Sequence, residues 1–132
     1  MITIPSDATV LEASRRMVQD NVGLLVVCDS GDETKLVGVV SERDIIRSIV
    51  SPGGLPEKVS AITTRQVVTV NATDDVAEAA KAMNKHRIRH VVVVDDGNLP
   101  RGVVSLRDLV GESSTLKAIL ESNEKEIFVG GD

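Results

Sequence analysis

The sequence predicts an α/β (α+β) fold in which two βαββα units pack against each other with pseudo-two-fold symmetry. Three observations predict it. The stretch "GVVSERDII" at 38–46 returns as "GVVSLRDLV" at 102–110. The stretches before it, 9–29 and 75–95, also match each other, with equivalent residues 66 positions apart. Within each copy the hydrophobic spacing alternates between that of strands and that of helices. The chain is therefore a tandem repeat in which each copy covers the open sheet face of the other.

Each unit begins with a short strand and an amphipathic helix. The strands are predicted at 2–4 and 67–70, from "ITI" and "VVTV". A narrow stripe of mainly small and apolar residues at i, i+3, i+4 and i+7 then predicts a helix in each copy: Val10, Ala13, Ser14 and Met17, then Val76, Ala79, Ala80 and Met83. Two residue pairs have the spacing of a capping box at the helix start: Thr9 with Glu12, and Asp75 with Glu78.

Two further strands and a second helix complete each unit. The strands are predicted at 24–28 and 36–40, and at 90–94 and 101–104, and the helices at about 42–50 and 106–112. Between the copies, "SPGGLPEKVSAITTRQ" has the proline and glycine content of a connector. We therefore predict a first repeat over 1–50, a linker over 51–65, a second repeat over 66–112, and a C-terminal helix and tail over 113–132.

Composition excludes several classes of function. The 132 residues are 42% hydrophobic and 27% charged, as in globular proteins, and no apolar run is long enough to span a bilayer. A net charge of −5 and a single aromatic residue argue against nucleic-acid binding, which uses basic surfaces and stacking platforms. The opening "MITIPSD" lacks signal-peptide features, and the one cysteine allows no internal disulfide. We therefore expect a cytoplasmic protein that binds neither membrane nor nucleic acid.

The repeated Ser-x-x-Asp pattern has two interpretations. A serine followed three residues later by an acid is a capping box, which needs no ligand. The alternative is a site for a ribose and a phosphate. The preceding strand and glycine bring free backbone N–H groups to a helix start, an arginine stands beside each aspartate, and aspartate accepts hydrogen bonds from ribose hydroxyls. Since the polar residues match in both copies, a mononucleotide site is the sharper hypothesis.

The motif resembles the G-h-h-S/T-x-x-D-h signature of cystathionine β-synthase (CBS) domains. "HRIRHVVVVDDGNLPRGVVSLRDLV" is similar to the last repeat of the gamma subunit of AMP-activated kinase. The resemblance covers residues 2–112 and implies a disc-like Bateman module that binds adenosine ligands in two clefts between its repeats. It also implies a regulatory sensor without catalytic activity, a homodimer formed through the apolar helices at 42–50 and 106–112, and output through an unidentified effector protein.

The resemblance further implies that each cleft draws on both repeats. The Ser-x-x-Asp segment of one repeat would hold ribose and phosphate, and two strand starts of the other would hold the base and more of the phosphate. Cleft A would consist of Ser41, Glu42, Arg43, Asp44, Val68, Thr69, Arg89 and His90. Cleft B would consist of Ile2, Thr3, Gly23, Leu24, Ser105, Leu106, Arg107 and Asp108. Because Gly23-Leu24 stand where cleft A has Arg89-His90, we expect cleft A to be the stronger nucleotide site.

The basic stretch "HRIRH" at 86–90 has a second interpretation, because basic residues at a helix C-terminus complement the helix dipole. His86 and His90 straddle the predicted helix end without an evident third ligand, so no metal site is expected. Cys28 is interpreted as a small buried hydrophobe. Neither a nucleophile elbow, a Walker loop nor a CxxC pair is present, so the sequence predicts no enzyme.

Three functions stay open. The leading one is a sensor of AMP, or also of ADP and ATP. The second is a module for another adenosyl ligand, above all S-adenosylmethionine. Cleft B, which has fewer cations, suits this ligand better than cleft A does. The third is an interaction protein without a ligand, in which the motif only caps helices. Family repeats usually follow a lead-in segment such as "VSAITT" at 59–64, which the first copy lacks, so the natural start of the chain also stays open.

Overall fold

The computed structural model describes residues 2–110 and confirms the βαββα order in both copies. The first copy contains β1 (Thr3–Pro5), α1 (Val10–Asp20), β2 (Leu24–Asp29), β3 (Asp32–Ser41) and α2 (Glu42–Val50). A short 3-10 helix (Val59–Ile62) follows. The second copy contains β4 (Thr69–Asn71), α3 (Val76–His86), β5 (His90–Val94), β6 (Pro100–Ser105) and α4 (Leu106–Val110). The predicted helix and tail over 113–132 lie outside the described residues.

Each repeat forms its own three-stranded sheet, in the orders β1-β2-β3 and β4-β5-β6. The first pair of strands is parallel and the second antiparallel, in equivalent registers: Thr3 pairs with Val26, and Thr69 with Val92. β3 begins at Asp32, four residues earlier than predicted, because its ladder with β2 continues past two register shifts. The two additional residues of the first copy are absorbed in this irregular hairpin.

Alternate residues of β2 face two different cores, as the two-residue period of a strand requires. Leu25 and Val27 are fully buried against α1 and α2. Between them, Val26 points to the opposite face. It forms an inter-sheet cluster, which we define as Val26, Cys28, Val92 and Val94. The predicted face-to-face packing of the two sheets is thus confirmed, and each fully buried valine contributes about 1.5–3 kcal/mol to it.

Cys28 belongs to this inter-sheet cluster and is 2% exposed, so its interpretation as a small buried hydrophobe is confirmed. Burial raises the pKa of its thiol, and the nearby carboxylates of Glu33 and Asp32 raise it further. A neutral, buried thiol is chemically inert.

The helix starts differ between the copies. The predicted capping box of α1 is present: Thr9 Oγ1 accepts from the Glu12 N–H at 3.0 Å, and Glu12 Oε2 accepts from the Thr9 N–H at 3.2 Å. The predicted box at Asp75 of α3 is wrong, because Asp75 makes no side-chain capping bond and the Glu78 carboxylate pairs with Lys81 Nζ at 3.5 Å instead. Among the described residues, no helix has the length and apolar character needed to cross a membrane.

The end of the connector folds onto the first repeat. Val59 is fully buried, and its N–H donates to the Ala8 carbonyl at 2.8 Å. Thr64 forms an antiparallel bridge with Val39 on the outer edge of β3, through hydrogen bonds of 2.8 and 3.0 Å. Gly38 allows this close approach, because a Cβ atom there would overlap the Thr64 carbonyl. Residues that precede the second copy therefore cover the edge of the first sheet.

The equivalent edge of the second sheet has no such cover from residues 2–110. β6 pairs with β5 alone within this range. At Gly102, the counterpart of Gly38, a Cβ atom would have no contact within 4 Å among the described residues. Within residues 2–110, the sheets and helices therefore follow the pseudo-two-fold symmetry, whereas the cover of a sheet edge is present at the first repeat alone.

Candidate functional site

The two Ser-x-x-Asp segments are capping boxes in the folded chain. Ser41 Oγ accepts from the Asp44 N–H at 3.1 Å, and Asp44 Oδ2 accepts from the Ser41 N–H at 2.8 Å. Ser105 and Asp108 make the same two bonds, also at 3.1 and 2.8 Å. The capping interpretation is therefore correct for the local geometry of both copies. A ligand at either motif therefore has to bind to polar groups that take no part in the capping hydrogen bonds.

Asp44 keeps one carboxylate oxygen outside its cap. Oδ2 accepts from both the backbone N–H and the hydroxyl of Ser41, at 2.8 and 2.9 Å. Oδ1 lies 3.6 Å from a guanidinium nitrogen of Arg47, whose side chain is 67% exposed. Such a loose, exposed ion pair contributes at most about 1 kcal/mol, so a ligand hydroxyl can replace it.

The arginines of the two motifs have no part in the caps. Arg43 and Arg107 are exposed, and neither side chain hydrogen-bonds to a residue between 2 and 110. Hydrogen bonds from Ser105, through its backbone first and then its side chain, hold the pKa of Asp108 below its ordinary value, and His90 and Arg107 lower it further. Asp108 is thus ionised at neutral pH.

The starts of the first strands occupy equivalent positions in the two sheets. The Ile2 carbonyl accepts from the Val26 N–H, and the Val68 carbonyl accepts from the Val92 N–H, both at 3.1 Å. Thr3 and Thr69 are the residues that follow. These hydrogen bonds fix where each strand start lies beside the central strand of its sheet.

Thr69 also lines an open groove of about 510 Å³ between the repeats. One wall comes from the β2–β3 hairpin of the first repeat, and the other from the β5–β6 turn of the second; the remaining lining residues are Asp32, Thr34, Lys35, Leu36, Val94, Gly97, Asn98 and Leu99. These residues could not be predicted from the sequence, because the two hairpins differ in length and sequence and the repeat therefore gives no signal there.

Arg89 and His90 lie at the head of β5. The Arg89 carbonyl accepts from the Leu106 N–H at 2.7 Å, and His90 pairs in register with Ser105 of β6. α3 ends at His86, with Arg87 closing it at φ +56°, so the basic residues of its last turn are Lys85 and His86. The dipole interpretation therefore applies to His86, whereas Arg89 and His90 belong to the start of the strand.

His90 is half-buried and has charged neighbours from both repeats. Burial is the main influence that lowers its pKa; Asp108 acts against this, while Arg107 and Arg89 lower the pKa further. Glu42 of the first repeat, the weakest of these influences, raises it. His90 therefore has a weak electrostatic interaction with Glu42 at the start of α2. Between residues 2 and 110 no group of three or more possible metal ligands is present.

The matching junction of the first repeat has the opposite charge. Leu24 pairs in register with Ser41, and the Glu42 N–H donates to the Gly23 carbonyl at 2.9 Å. The Glu42 side chain lies over Gly23, with Oε1 3.1 Å from the place that a Gly23 Cβ atom would occupy. The structure therefore brings Glu42, predicted for cleft A, against Gly23, predicted for cleft B.

A CBS domain family model matches residues 1–51 and 59–115 of the chain. The mitochondrial CBS domain-containing protein CBSX3 of Arabidopsis thaliana is 34% identical over 126 residues, covering 92% of this chain and 58% of that protein. An uncharacterized protein of Methanopyrus kandleri is 31% identical over 128 residues, covering 96% of this chain and 64% of that protein. The chain thus spans about three fifths of the length of these relatives.

Solved structures show the same architecture. A CBS domain protein of Pyrobaculum aerophilum, complexed with AMP, is 36% identical, with a TM-score of 0.78 over 91% of this chain and 88% of that one. The CBS domain pair of protein MJ0100 is complexed with 5′-methylthioadenosine and S-adenosyl-L-methionine. It is 26% identical, with a TM-score of 0.74 over 93% of this chain and 90% of that one.

Proposed function

This chain belongs to the CBS domain family, and we propose that it is a regulatory module that binds an adenine nucleotide, AMP above ADP and ATP, in cleft A. The observation that carries the proposal is the electrostatic proximity of His90, from the second repeat, to Glu42 at the start of α2. It supports a site in which a basic strand start of one repeat faces the helix N-terminus and the Asp44 carboxylate of the other. The AMP complex of the similar Pyrobaculum aerophilum protein supports the same ligand.

Each part of the nucleotide has a matching group in this proposal. The phosphate is held by the N-terminal end of α2, by Arg43 and by the basic pair at the head of β5. The ribose hydroxyls donate to Asp44 Oδ1, the oxygen outside the cap. The base enters beside Val68 and Thr69, where the groove between the hairpins offers both apolar and polar walls.

A ligand held by both repeats acts by shifting the population of repeat arrangements, because it binds best to the arrangement that closes the cleft. We propose that the signal passes to a second copy and to a separate effector protein, without catalysis by this chain. The exposed face of α2 suits the contact with a second copy, because Ile46, Ile49 and Val50 are 62, 56 and 79% exposed. Apolar groups clustered on a surface mark interaction sites.

S-adenosylmethionine is the second candidate ligand. Two observations favour it: the similar CBS domain pair of MJ0100 is complexed with it, and the Gly23-Leu24 position of cleft B offers no cation to a phosphate. A module without any ligand is the third candidate, in which both Ser-x-x-Asp segments serve only as caps.

Thermal melting with saturating AMP tests the proposal. AMP at about 100 times its Kd stabilises the folded state by about 2.7 kcal/mol, which raises the Tm by about ten degrees in a domain of this size. We expect Asp44→Ala to remove this shift. Asp108→Ala removes the equivalent cap in the other copy and is the matched control, so it should keep the shift. The absence of a shift in the wild type, or an equal loss in both variants, would contradict the AMP site.

AMP binding is expected to be coupled to proton uptake by His90. The pKa of free His90 lies below its ordinary value, mainly through burial, so its imidazole is largely neutral at pH 7. A phosphate beside it favours the charged form and raises this pKa. Binding therefore takes up protons, and AMP affinity rises as the pH falls from about 8 to 6.5.

Calorimetry at pH 7 in buffers of different ionisation enthalpy measures this uptake directly. The observed binding enthalpy should depend on the buffer for the wild type and much less for His90→Gln. Equal dependence in both proteins would place the titrating group elsewhere, for instance on the phosphate itself.

A further inference from the structure

The two copies carry opposite charges at one equivalent position, the junction between the second strand start and the second helix. In the second copy the position holds Arg89 beside Leu106. In the first copy it holds Gly23 beside Glu42. The backbone geometry is the same, since the N–H of the second residue donates to the carbonyl of the first at 2.7 Å and 2.9 Å respectively. Only the side chains differ.

In the first copy a carboxylate lies at the position where a side chain of residue 23 would begin. Glu42 Oε1 lies 3.1 Å, and its Cδ 3.3 Å, from the Cβ position of Gly23. Any side chain at position 23 would displace Glu42, so the glycine permits this placement. The Glu42 side chain is exposed and makes no hydrogen bond or ion pair with the residues from 2 to 110.

The Glu42 carboxylate has neighbours from both predicted clefts, His90 on one side and Gly23 on the other. Among the charged neighbours of His90 it has the smallest influence. On the Gly23 side its Oε1 atom lies 3.1 Å from the position that a Gly23 Cβ atom would occupy. At the position where cleft A offers Arg89 and His90 to a phosphate, cleft B therefore presents a negative charge.

We propose that Glu42 determines the ligand specificity of cleft B, which takes an adenosyl ligand with a positively charged substituent on its 5′ carbon, of the S-adenosylmethionine type, and rejects adenosine phosphates. This inference rests on the proposed function of the clefts between the repeats. A phosphate at this position would meet a like charge at close range, whereas a sulfonium gains an opposite charge.

Two probes that share the adenosyl group and differ in charge test the role of Glu42. S-adenosylmethionine carries a sulfonium with an attached amino-acid group, and 5′-methylthioadenosine carries a neutral thioether and lacks that group. Glu42→Gln keeps the size of the side chain and removes its charge. We expect S-adenosylmethionine to bind at least fivefold more weakly to this variant in calorimetry, and 5′-methylthioadenosine to bind within twofold of the wild type. Glu78→Gln, on the exposed surface of α3, removes the same charge elsewhere and should change neither Kd.

The number of AMP molecules bound per chain tests whether cleft B rejects a phosphate. The wild type should bind one AMP per chain. The double variant Gly23→Arg/Glu42→Leu gives the first copy the residues of the second and should bind two. Asp108→Ala should remove S-adenosylmethionine binding, and Asp75→Ala, at a helix start without a side-chain cap, should leave it intact.

The outcomes separate the two proposals. One AMP per chain with no S-adenosylmethionine binding, or an equal loss of both adenosyl probes in Glu42→Gln, would overturn the role of Glu42 and leave cleft A standing. Binding of two AMP molecules per wild-type chain would also overturn the role of Glu42 and leave cleft A standing. Binding of neither AMP nor S-adenosylmethionine would overturn the proposed function, and the specificity of cleft B with it.

Discussion

Replacing Gly38 with alanine is expected to lower the free energy of unfolding by about 3 kcal/mol, the upper part of the range for overpacked sites. The added Cβ atom would overlap the Thr64 carbonyl and lie 2.6 Å from Thr63 Cγ2. The carbonyl cannot yield freely, because it accepts the Val39 N–H at 3.0 Å. The substitution must therefore push the connector off the edge of β3 and break both hydrogen bonds of the bridge.

Gly102→Ala is the matched control, because Gly102 has the equivalent position in β6 and an open Cβ direction among residues 2–110. Alanine there should change stability by no more than about 0.5 kcal/mol, the usual range for unstrained surface sites. Denaturant titration of both variants measures the difference. Equal effects of the two substitutions would mean that the connector contributes nothing to the stability of the first repeat.

An aspartate at position 26 is expected to cost about 4 kcal/mol, the typical penalty for an uncompensated buried charge. Val26 is fully buried in the inter-sheet cluster, where Cys28, Val92 and Val94 offer no hydrogen-bond donor to a carboxylate. The loss is comparable to the whole stability of many small domains. We expect Val26→Asp to be largely unfolded or to have separated sheets, and in either case to lose its response to AMP.

Leu11→Asp supplies the control for the added charge, since Leu11 is 57% exposed in the first turn of α1. An acid is tolerated there because it faces the positive end of the helix dipole. Circular dichroism and thermal melting with AMP compare the two variants. If Val26→Asp melted like the wild type, the packing of the two sheets could not be what holds the repeats together.

The strands, helices and their packing could be predicted because the hydrophobic pattern of each element occurs twice in the sequence. A hydrophobic period that occurs once can arise by chance, but one that recurs with matched residues 66 positions apart reflects the fold. The alternation of Val26 and Leu25 between two cores follows from strand geometry alone. The capping box at Ser41 and Asp44 could be predicted for the same reason, since it depends on residues three apart.

Features that depend on contacts between distant segments could not be predicted in this way. Composition marked the connector as loop, yet Val59 is fully buried and Thr64 extends the first sheet. At α3 the correct spacing of Asp75 and Glu78 gave no box, since Lys81 attracts the Glu78 carboxylate. The groove beside Thr69 and the contact of Glu42 with Gly23 likewise depend on how side chains meet in space.

The return of the connector to the first sheet affects how the chain is synthesised. The helices and strands of the first copy have all been synthesised once residue 50 is made, but Val59 and Thr64 complete its core and its outer edge. At about 5–20 residues per second, the ribosome supplies these residues roughly one to three seconds later. During this interval the nascent first repeat has an unpaired β3 edge beside Val39. The first repeat therefore becomes a complete folding unit only after the connector has been made, just before translation of the second repeat begins.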